Sequence, residues 1–554
     1  MGRSDVKSLR YTDEGRINQV EKHKLARHPL DIRQSIIDEY SKDLAKMDEV
    51  PGEPERLKWV GIYPQKQGGD NFMMRIKVPG GVLTPEQTKA IGKIARDFAG
   101  GPYENPHFGD NFLDITTRQD IQMHWLQMRD IPEIWRRLEA VGMTTVQACG
   151  DSARNVLSCP VSGLDKDEAL DAYPVAQAVS DYFTGNRDYA NLPRKFKMSI
   201  TGCCEDCAQA EINDIGMTPA RLEDGTVGFN VRVGGGLSDG PRMASDIDVF
   251  IEPDDAVEVC RGVAQVFGEL GNRENRWLAR MRYLVQELGP ERFREELQNR
   301  VDITLRPAGE DLTSHYRCDH IGVHEQKDDG VYYVGLNVPV GRMSGEQFEE
   351  AGRLAEEYGS DIRLATDQNL IVTGVPEGRL DDFLSEPLLE RYSPNPGPFE
   401  RGVVACTGSE FCRFAIVETK IKALEWAREM DGKFGDDVGQ DAVRMHFSGC
   451  SASCAQPQIG DIGFRGETAK TKDGIVEGVD IGLGGSLGED AAFIDWVEGA
   501  RPSDSVPEAL SNLFERFKEE KREGERFHEW ARRTKNNELR DTLRGREFVE
   551  MGRK

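Results

Sequence analysis

Long apolar runs are missing from this 554-residue sequence: no stretch of about 18 apolar residues occurs, which argues against a transmembrane helix. The N-terminal MGRSDVKSLRYTDEGR has no apolar core, so it does not read as a secretory signal. A cytoplasmic location is the default expectation. There the 11 cysteines stay reduced, and clusters among them point to metal and not to disulfides. Positive charge is scarce: 71 Lys and Arg face 97 Asp and Glu, a net charge of −26. Such an excess argues against nucleic acid or a polybasic membrane surface as partner, and it suits a salt-loving source. Any basic cluster stands out against it. Dinucleotide fingerprints are also absent, since VGGGLS and LGGSLG lack the G-x-G-x-x-G spacing and read as glycine turns. The length allows two to four domains.

What is present is a repeat of long period. VPGGVLTPEQ (78–87) answers VPVGRMSGEQ (338–347), and IGKIA (91–95) answers AGRLA (351–355). ITTRQ (115–119) answers LATDQ (364–368), TGCCEDCAQAEINDIG (201–216) answers SGCSASCAQPQIGDIG (448–463), and VGGGL (233–237) answers LGGSL (483–487). Five matches in the same order imply two homologous halves. FMMRIKVP and YYVGLNVP read as strands, PEQTKAIGKIARDF and GEQFEEAGRLAEEY as helices, and DITTRQDIQMHW and IRLATDQNLIVTGV as strands again. The expected fold class is α+β and internally duplicated. Two strand–helix–strand half-modules pair about a pseudo-twofold axis, where a junction cleft favours a cofactor. Residues 22–48 read as a helical arm, 508–545 as polar terminal helices, and 306–315 and 393–399 as linkers.

Cys450 and Cys454 stand three residues apart, and Cys406 and Cys412 five apart. Phe414, Val417, Ile421 and Leu424 have helical spacing, which predicts a helix beginning near Cys412, whose positive end favours thiolate. Small neighbours (Gly408, Ser409, Gly449, Ser451) let backbone approach whatever the sulfurs hold. Four thiolates suit zinc or an iron–sulfur cluster. Zinc knuckles usually keep two residues between paired ligands, so the wider gaps favour the cluster; unligated buried cysteines are the bland alternative.

CTGSEFC, then CSASC, then QIGDIGF resembles the cluster signature of the siroheme-dependent sulfite and nitrite reductases. The likeness covers nearly the whole chain, both repeats and the EGERFHEW stretch included. The resemblance implies a pair of ferredoxin-like half-modules with two siroheme and 4Fe-4S binding domains. It implies that Cys406, Cys412, Cys450 and Cys454 hold a 4Fe-4S cluster and that Cys454 also ligates the siroheme iron. It implies that Arg75, Arg154, Lys195 and Lys197 surround the substrate anion and that Arg118 contacts siroheme carboxylates; its counterpart in the second half is Asp367. Lys195 and Lys197, two apart on a strand, point to the same side. Read alone, Lys195 and Lys197 would pass for a solvated strand face and Arg75 for a surface residue.

The expected reaction is a six-electron reduction of sulfite to sulfide, with nitrite to ammonia as the alternative and a ferredoxin-like one-electron donor as partner. Lysine at 197 favours the dianion sulfite; CTGSEFC looks more like nitrite reductases. An iron–sulfur carrier without haem and a zinc-stabilised binding protein are the competing classes. The expected division is an arm at 1–60, half-modules at 61–130 and 311–392, a siroheme and substrate domain at 131–310, and a cluster domain with terminal helices at 393–554. Cys203 and Cys207 align with Cys450 and Cys454, Cys149 with Cys406, and Asn155 falls where Cys412 would have a partner, with Cys159 nearby. A second cluster there competes with vestigial or buried thiols. Cys204, Cys260 and Cys318 read as structural.

Overall fold

The computed structural model describes residues 16–313, 319–439 and 442–545. Both repeated helices form over the expected residues, Pro85–Phe98 and Gly345–Tyr358. Each starts at a capping box, Thr84 with Gln87 and Ser344 with Gln347, which satisfies free N–H groups in the first turn of both helices. They pack on each other at close range: a Cβ on Gly92 would sit 2.6 Å from the backbone N of Glu349 and the carbonyl of Gly345.

Around this helix pair the halves exchange strands. One sheet runs Ile62–Pro64, Phe72–Ile76, Ile121–Leu126, Gly109–Ile115 and then Arg342–Ser344 from the second half, with Gly100–Asn105 pairing Gly109–Ile115. The other runs Gly322–Glu325, Val331–Leu336, Leu370–Pro376, Ile362–Leu364 and then Val82–Leu83 from the first half. Their apolar faces merge in one core that holds Leu83, Ile91, Leu113, Phe348, Leu354 and Val372. The halves pair about a pseudo-twofold axis as expected from the repeat; the reciprocal exchange of edge strands goes beyond that expectation.

Each half carries a second sheet of identical plan. Ala153–Leu157, Phe196–Ile200 and Ile215–Arg221 are parallel neighbours, followed antiparallel by Val227–Val233 and Ser245–Ile251. Val403–Ala405, Met445–Ser448 and Ile462–Thr471 are parallel, followed antiparallel by Gly474–Leu483 and Asp495–Pro502. Each has its own core. The terminal helices lie at Val506–Glu520, Phe527–Arg533 and Asn536–Arg544.

Four local expectations are corrected. ITTRQ and LATDQ do not continue strands but turn them, at Gln119 (φ 57°) and Gln368 (φ 71°). Both side chains turn inward and bond the opposite half: Gln119 Nε2 donates to the Leu364 carbonyl at 2.8 Å, and Gln368 Nε2 to that of Ile115 at 2.9 Å. The arm is helical as expected but broken into pieces: Gln19–Ala26, then after Pro29 a helical stretch that includes Ile32–Ser35 and Ile36–Tyr40, then Ala45–Asp48. Within 306–313, Glu310–Asp311 is an edge strand paired with Ile215–Arg221, not linker; 314 and 315 lie outside the described residues. No helix starts near Cys412. Ser409 N donates to the Val417 carbonyl and Ile416 N to that of Gly449, so loop bonds use the donors and Phe414 stays 78% exposed. The helix is Lys420–Val438, its first turn capped by Glu418 through Ile421 N and Lys422 N.

Candidate active site

Two parallel strand ends deliver two of the four thiols. Cys406 follows Val403–Ala405 and Cys450 follows Met445–Ser448; Cys406 N donates to the Phe447 carbonyl at 3.1 Å, and Gly449 N to Cys406 Sγ at 3.2 Å. Cys412 and Cys454 come from turns. Cys454 is exposed, and its carbonyl accepts from Thr117 Oγ1 of the other half at 3.0 Å. Among the described residues no three of these sulfurs lie within 4.8 Å of one another. Thiolates around one zinc ion stand about 3.8 Å apart when Zn–S is about 2.3 Å, so these sulfurs are not gathered as around a single zinc ion. Burial first, then the Cys454 sulfur, pushes Cys406 up to about 12; burial first pushes Cys450 up to about 11. Four thiolates here require a cationic centre, and the donor set fits a four-iron cluster.

Beside Cys454 the first half gathers cations. Arg75 lies on Phe72–Ile76, Arg118 in the turn, Arg154 on Ala153–Leu157, and Lys195 and Lys197 at and just inside Phe196–Ile200. Lys195 and Lys197 are half-buried while Phe196 and Met198 between and after them are fully buried, which is the period-two pattern. Burial, with Arg280 and Arg154 adjacent and Cys454 opposing, pushes Lys195 down to about 7. Lys197 falls well below its ordinary value through burial, Arg118, Lys195 and Arg280. Arg118 is pushed down to about 9 by burial, with Arg154 and Arg75 adding to it against Asp120 and Asp214. Arg75 goes the other way: burial would lower it, but Cys149, Asp120, Tyr63 and Cys454 hold its proton.

The excess of buried cation is itself informative. Six basic groups converge, these five and Arg280, against the carboxylates Asp120 and Asp214. Asp214 bonds Arg280 at 3.2 Å and accepts from Lys197 N at 2.9 Å. Buried like charges at this density demand an anion. A macrocycle bearing eight carboxylates, with a small oxyanion, is a matching occupant. Arg118 is already engaged, donating to Asn213 Oδ1 at 2.9 Å and to the Asn155 carbonyl, so it reaches a ligand only with its remaining hydrogen-bonding capacity. Asp367, its counterpart, lines a separate cavity of about 720 Å³ with Cys207, Arg444 and Asp461. There Arg444 and His528 are bonded to Asp461.

Sequence reasoning missed Arg280, Asp120, Asp214, Tyr63 and the functional setting of Cys149. Asp214 was recoverable, because it matches Asp461 within the INDIG and IGDIG repeat. Tyr63 bonds Cys149 between Arg75 and Arg154, and burial, with Cys149, raises its phenol. Nothing local marks Arg280; tertiary packing alone brings it in. Cys260 is fully buried, Cys204 is half-buried and donates to the Asp167 carbonyl at 3.4 Å, and Cys318 lies outside the described residues.

The chain is similar to known proteins over most of its length. A family described as the nitrite and sulphite reductase 4Fe-4S domain matches residues 149–305 and 397–549. One described as the nitrite/sulfite reductase ferredoxin-like half domain matches 63–141 and 324–389. An assimilatory ferredoxin-dependent nitrite reductase of Haloferax mediterranei is 45% identical over 498 residues, 86% of this chain and 84% of that one. A ferredoxin–nitrite reductase of Synechococcus elongatus is 40% identical over 513 residues, 91% of this chain and 97% of the other. The solved structure of the Mycobacterium tuberculosis NirA protein superposes with a TM-score of 0.89 at 31% identity, covering 96% of this chain and all of that one.

Proposed function

The chain belongs to the nitrite and sulphite reductase family, and from that premise we propose that it is a ferredoxin-dependent nitrite reductase that converts nitrite to ammonia. It is an oxidoreductase with siroheme and a 4Fe-4S cluster, supplied with electrons by ferredoxin. The observation that carries the reading is the buried cationic group beside Cys454. In this reading Cys406, Cys412, Cys450 and Cys454 would hold the cluster, and Cys454 and Arg118 would hold the siroheme. Arg75, Arg154, Lys195 and Lys197 form the substrate pocket. The division at 60, 130, 310 and 392 is part of the same proposal, as is action in the cytoplasm; no helix among the described residues is long and apolar enough to cross a membrane.

When bound, siroheme and cluster supply an iron for the anion and a route for six electrons. The protein's own groups do the rest. Converting nitrite to ammonium and two waters takes up eight protons, so the pocket must orient an anion and deliver protons. Arg75, which holds its proton, and Arg154 orient the oxygens; charge-assisted bonds from a partly dry site are strong. Lys195, pushed down to about 7, loses and regains its proton near neutrality, which suits a donor.

Sulfite is the expectation from Lys197, on the ground that an added cation favours a dianion. That ground is weak in three dimensions: the lysine sits among Arg118, Lys195 and Arg280, and burial with these neighbours lowers it well below its ordinary value, so it is a poor added cation. The relatives named as nitrite reductases favour the monoanion. Steady-state rates with reduced ferredoxin test the choice. kcat/KM for nitrite is expected to exceed that for sulfite at least about tenfold, ~1.4 kcal/mol of transition-state preference; a preference for sulfite overturns the assignment.

A further inference from the structure

The duplicated cysteine loop of the first half has a chemistry of its own. Cys203 and Cys207 occupy the turn that matches Cys450 and Cys454, and the resemblance extends to backbone support: Thr366 Oγ1 donates to the Cys207 carbonyl at 3.0 Å, as Thr117 does to that of Cys454. Yet the sulfurs are placed differently. Those of Cys159, Cys203 and Cys207 all lie within 4.8 Å of one another, and Cys203 and Cys207 are 3.6 Å apart. A fourth group closes on them from the second half: His320 Nε2 is 3.2 Å from Cys207 Sγ and 3.8 Å from Cys159 Sγ. All four side chains are buried.

We propose that Cys159, Cys203, Cys207 and His320 bind one zinc ion, a site separate from the four-cysteine cluster. The edges decide for a single ion. With Zn–S about 2.3 Å and Zn–N about 2.0 Å, a tetrahedral site has sulfur–sulfur edges of about 3.8 Å and sulfur–nitrogen edges of about 3.5 Å. The 3.6, 3.2 and 3.8 Å separations match these edges. A cubane holds its ligands wider apart. Three thiolates with one imidazole form a closed structural donor set for zinc.

The surroundings serve such a site. His320 Nδ1 lies 3.4 Å from the Tyr333 hydroxyl, which orients the ring and leaves Nε2 for the metal. Glu205 N donates to Cys203 Sγ at 3.3 Å, a bond that stabilises thiolate. Cys207 and His320 also line the 720 Å³ cavity, which gives an ion a path in. Because three ligands come from the first half and His320 from the start of the second half-module, the ion clips the two halves together.

Metal analysis of the holoenzyme tests this. About one zinc per chain is expected in addition to the iron, with an X-ray absorption shell of three sulfurs at about 2.3 Å and one nitrogen at about 2.0 Å. His320→Ala and Cys207→Ser should each lose the zinc while siroheme absorbance and iron content stay at the wild-type level. Cobalt exchanged into the wild-type protein should show thiolate charge-transfer and tetrahedral bands, which decides the matter even if a variant fails to fold. Wild-type protein without zinc and without a cobalt spectrum overturns the proposal. So does a second cubane's worth of iron lost on Cys207→Ser, or a Cys203–Cys207 disulfide in the metal-free isolated enzyme.

Discussion

At the scale of single residues, the pocket works because its cations are unequal. Arg75 holds its proton through Cys149, Asp120, Tyr63 and Cys454, whereas Lys195 is pushed down to about 7 by burial and by Arg280. Lys195→Met should therefore cut kcat/KM about 100-fold, the usual loss for one preorganised donor. The sign of the pH dependence follows from the lowered value. Below it the ammonium is present; as pH rises through it the charge and the donated proton are lost, so log kcat/KM falls with unit slope. The break lies above 7 to the extent that bound carboxylates oppose the neighbouring arginines. Lys195→Arg moves the fall to higher pH, since a guanidinium stays charged; an unchanged profile in that variant removes Lys195 from the proton-linked step.

At the scale of elements, the two central helices approach until backbone touches backbone. Gly92 and its counterpart Gly352 face Gly345 and Pro85 across the pseudo-twofold contact; a Cβ on Gly352 would lie 3.0 Å from the Pro85 carbonyl. Neither neighbour is a flexible side-chain end, so neither can move aside cheaply. Gly92→Ala should destabilise by about 1–3 kcal/mol through overpacking, read as a lower thermal midpoint with the far-ultraviolet spectrum retained. No change would mean that the helix pair separates without cost. The strand exchange beside it ties the same contact to Arg342, which reaches Asp114 at 2.6 Å and Glu410 at 2.7 Å; it holds three segments from both halves. This was partly legible. The helical spacing of PEQTKAIGKIARDF and GEQFEEAGRLAEEY placed both helices to the residue. The strand swap was not, because a two- or three-residue edge strand has too few side chains to carry a period.

At the scale of the whole molecule, a net charge of −26 repels itself. Raising KCl from about 0.1 M to about 1 M shortens the screening length from about 10 Å to about 3 Å. The thermal midpoint should rise over that range, and a fall would show that screened ion pairs outweigh the repulsion. The same scale explains which errors of sequence reading occurred. The helix expected near Cys412 failed because Phe414, Val417, Ile421 and Leu424 keep helical spacing across a loop whose N–H groups bond Val417 and Gly449 carbonyls instead. Spacing reports which side chains could share a face, not which donors find a nearer acceptor.

The sequence by itself determined the duplication and the family, and it singled out four cysteines and a few basic positions that stand apart in an acidic chain. Those are local facts: motif, spacing and charge survive being read along a line. Only the tertiary structure decided that Arg280 pairs with Asp214 at the pocket, that Arg444 pairs with Asp461 in the second cavity, and that His320 meets the thiols of Cys207 and Cys159. Convergence of distant segments depends on how strands exchange and turns close, and it leaves no periodic trace in the chain.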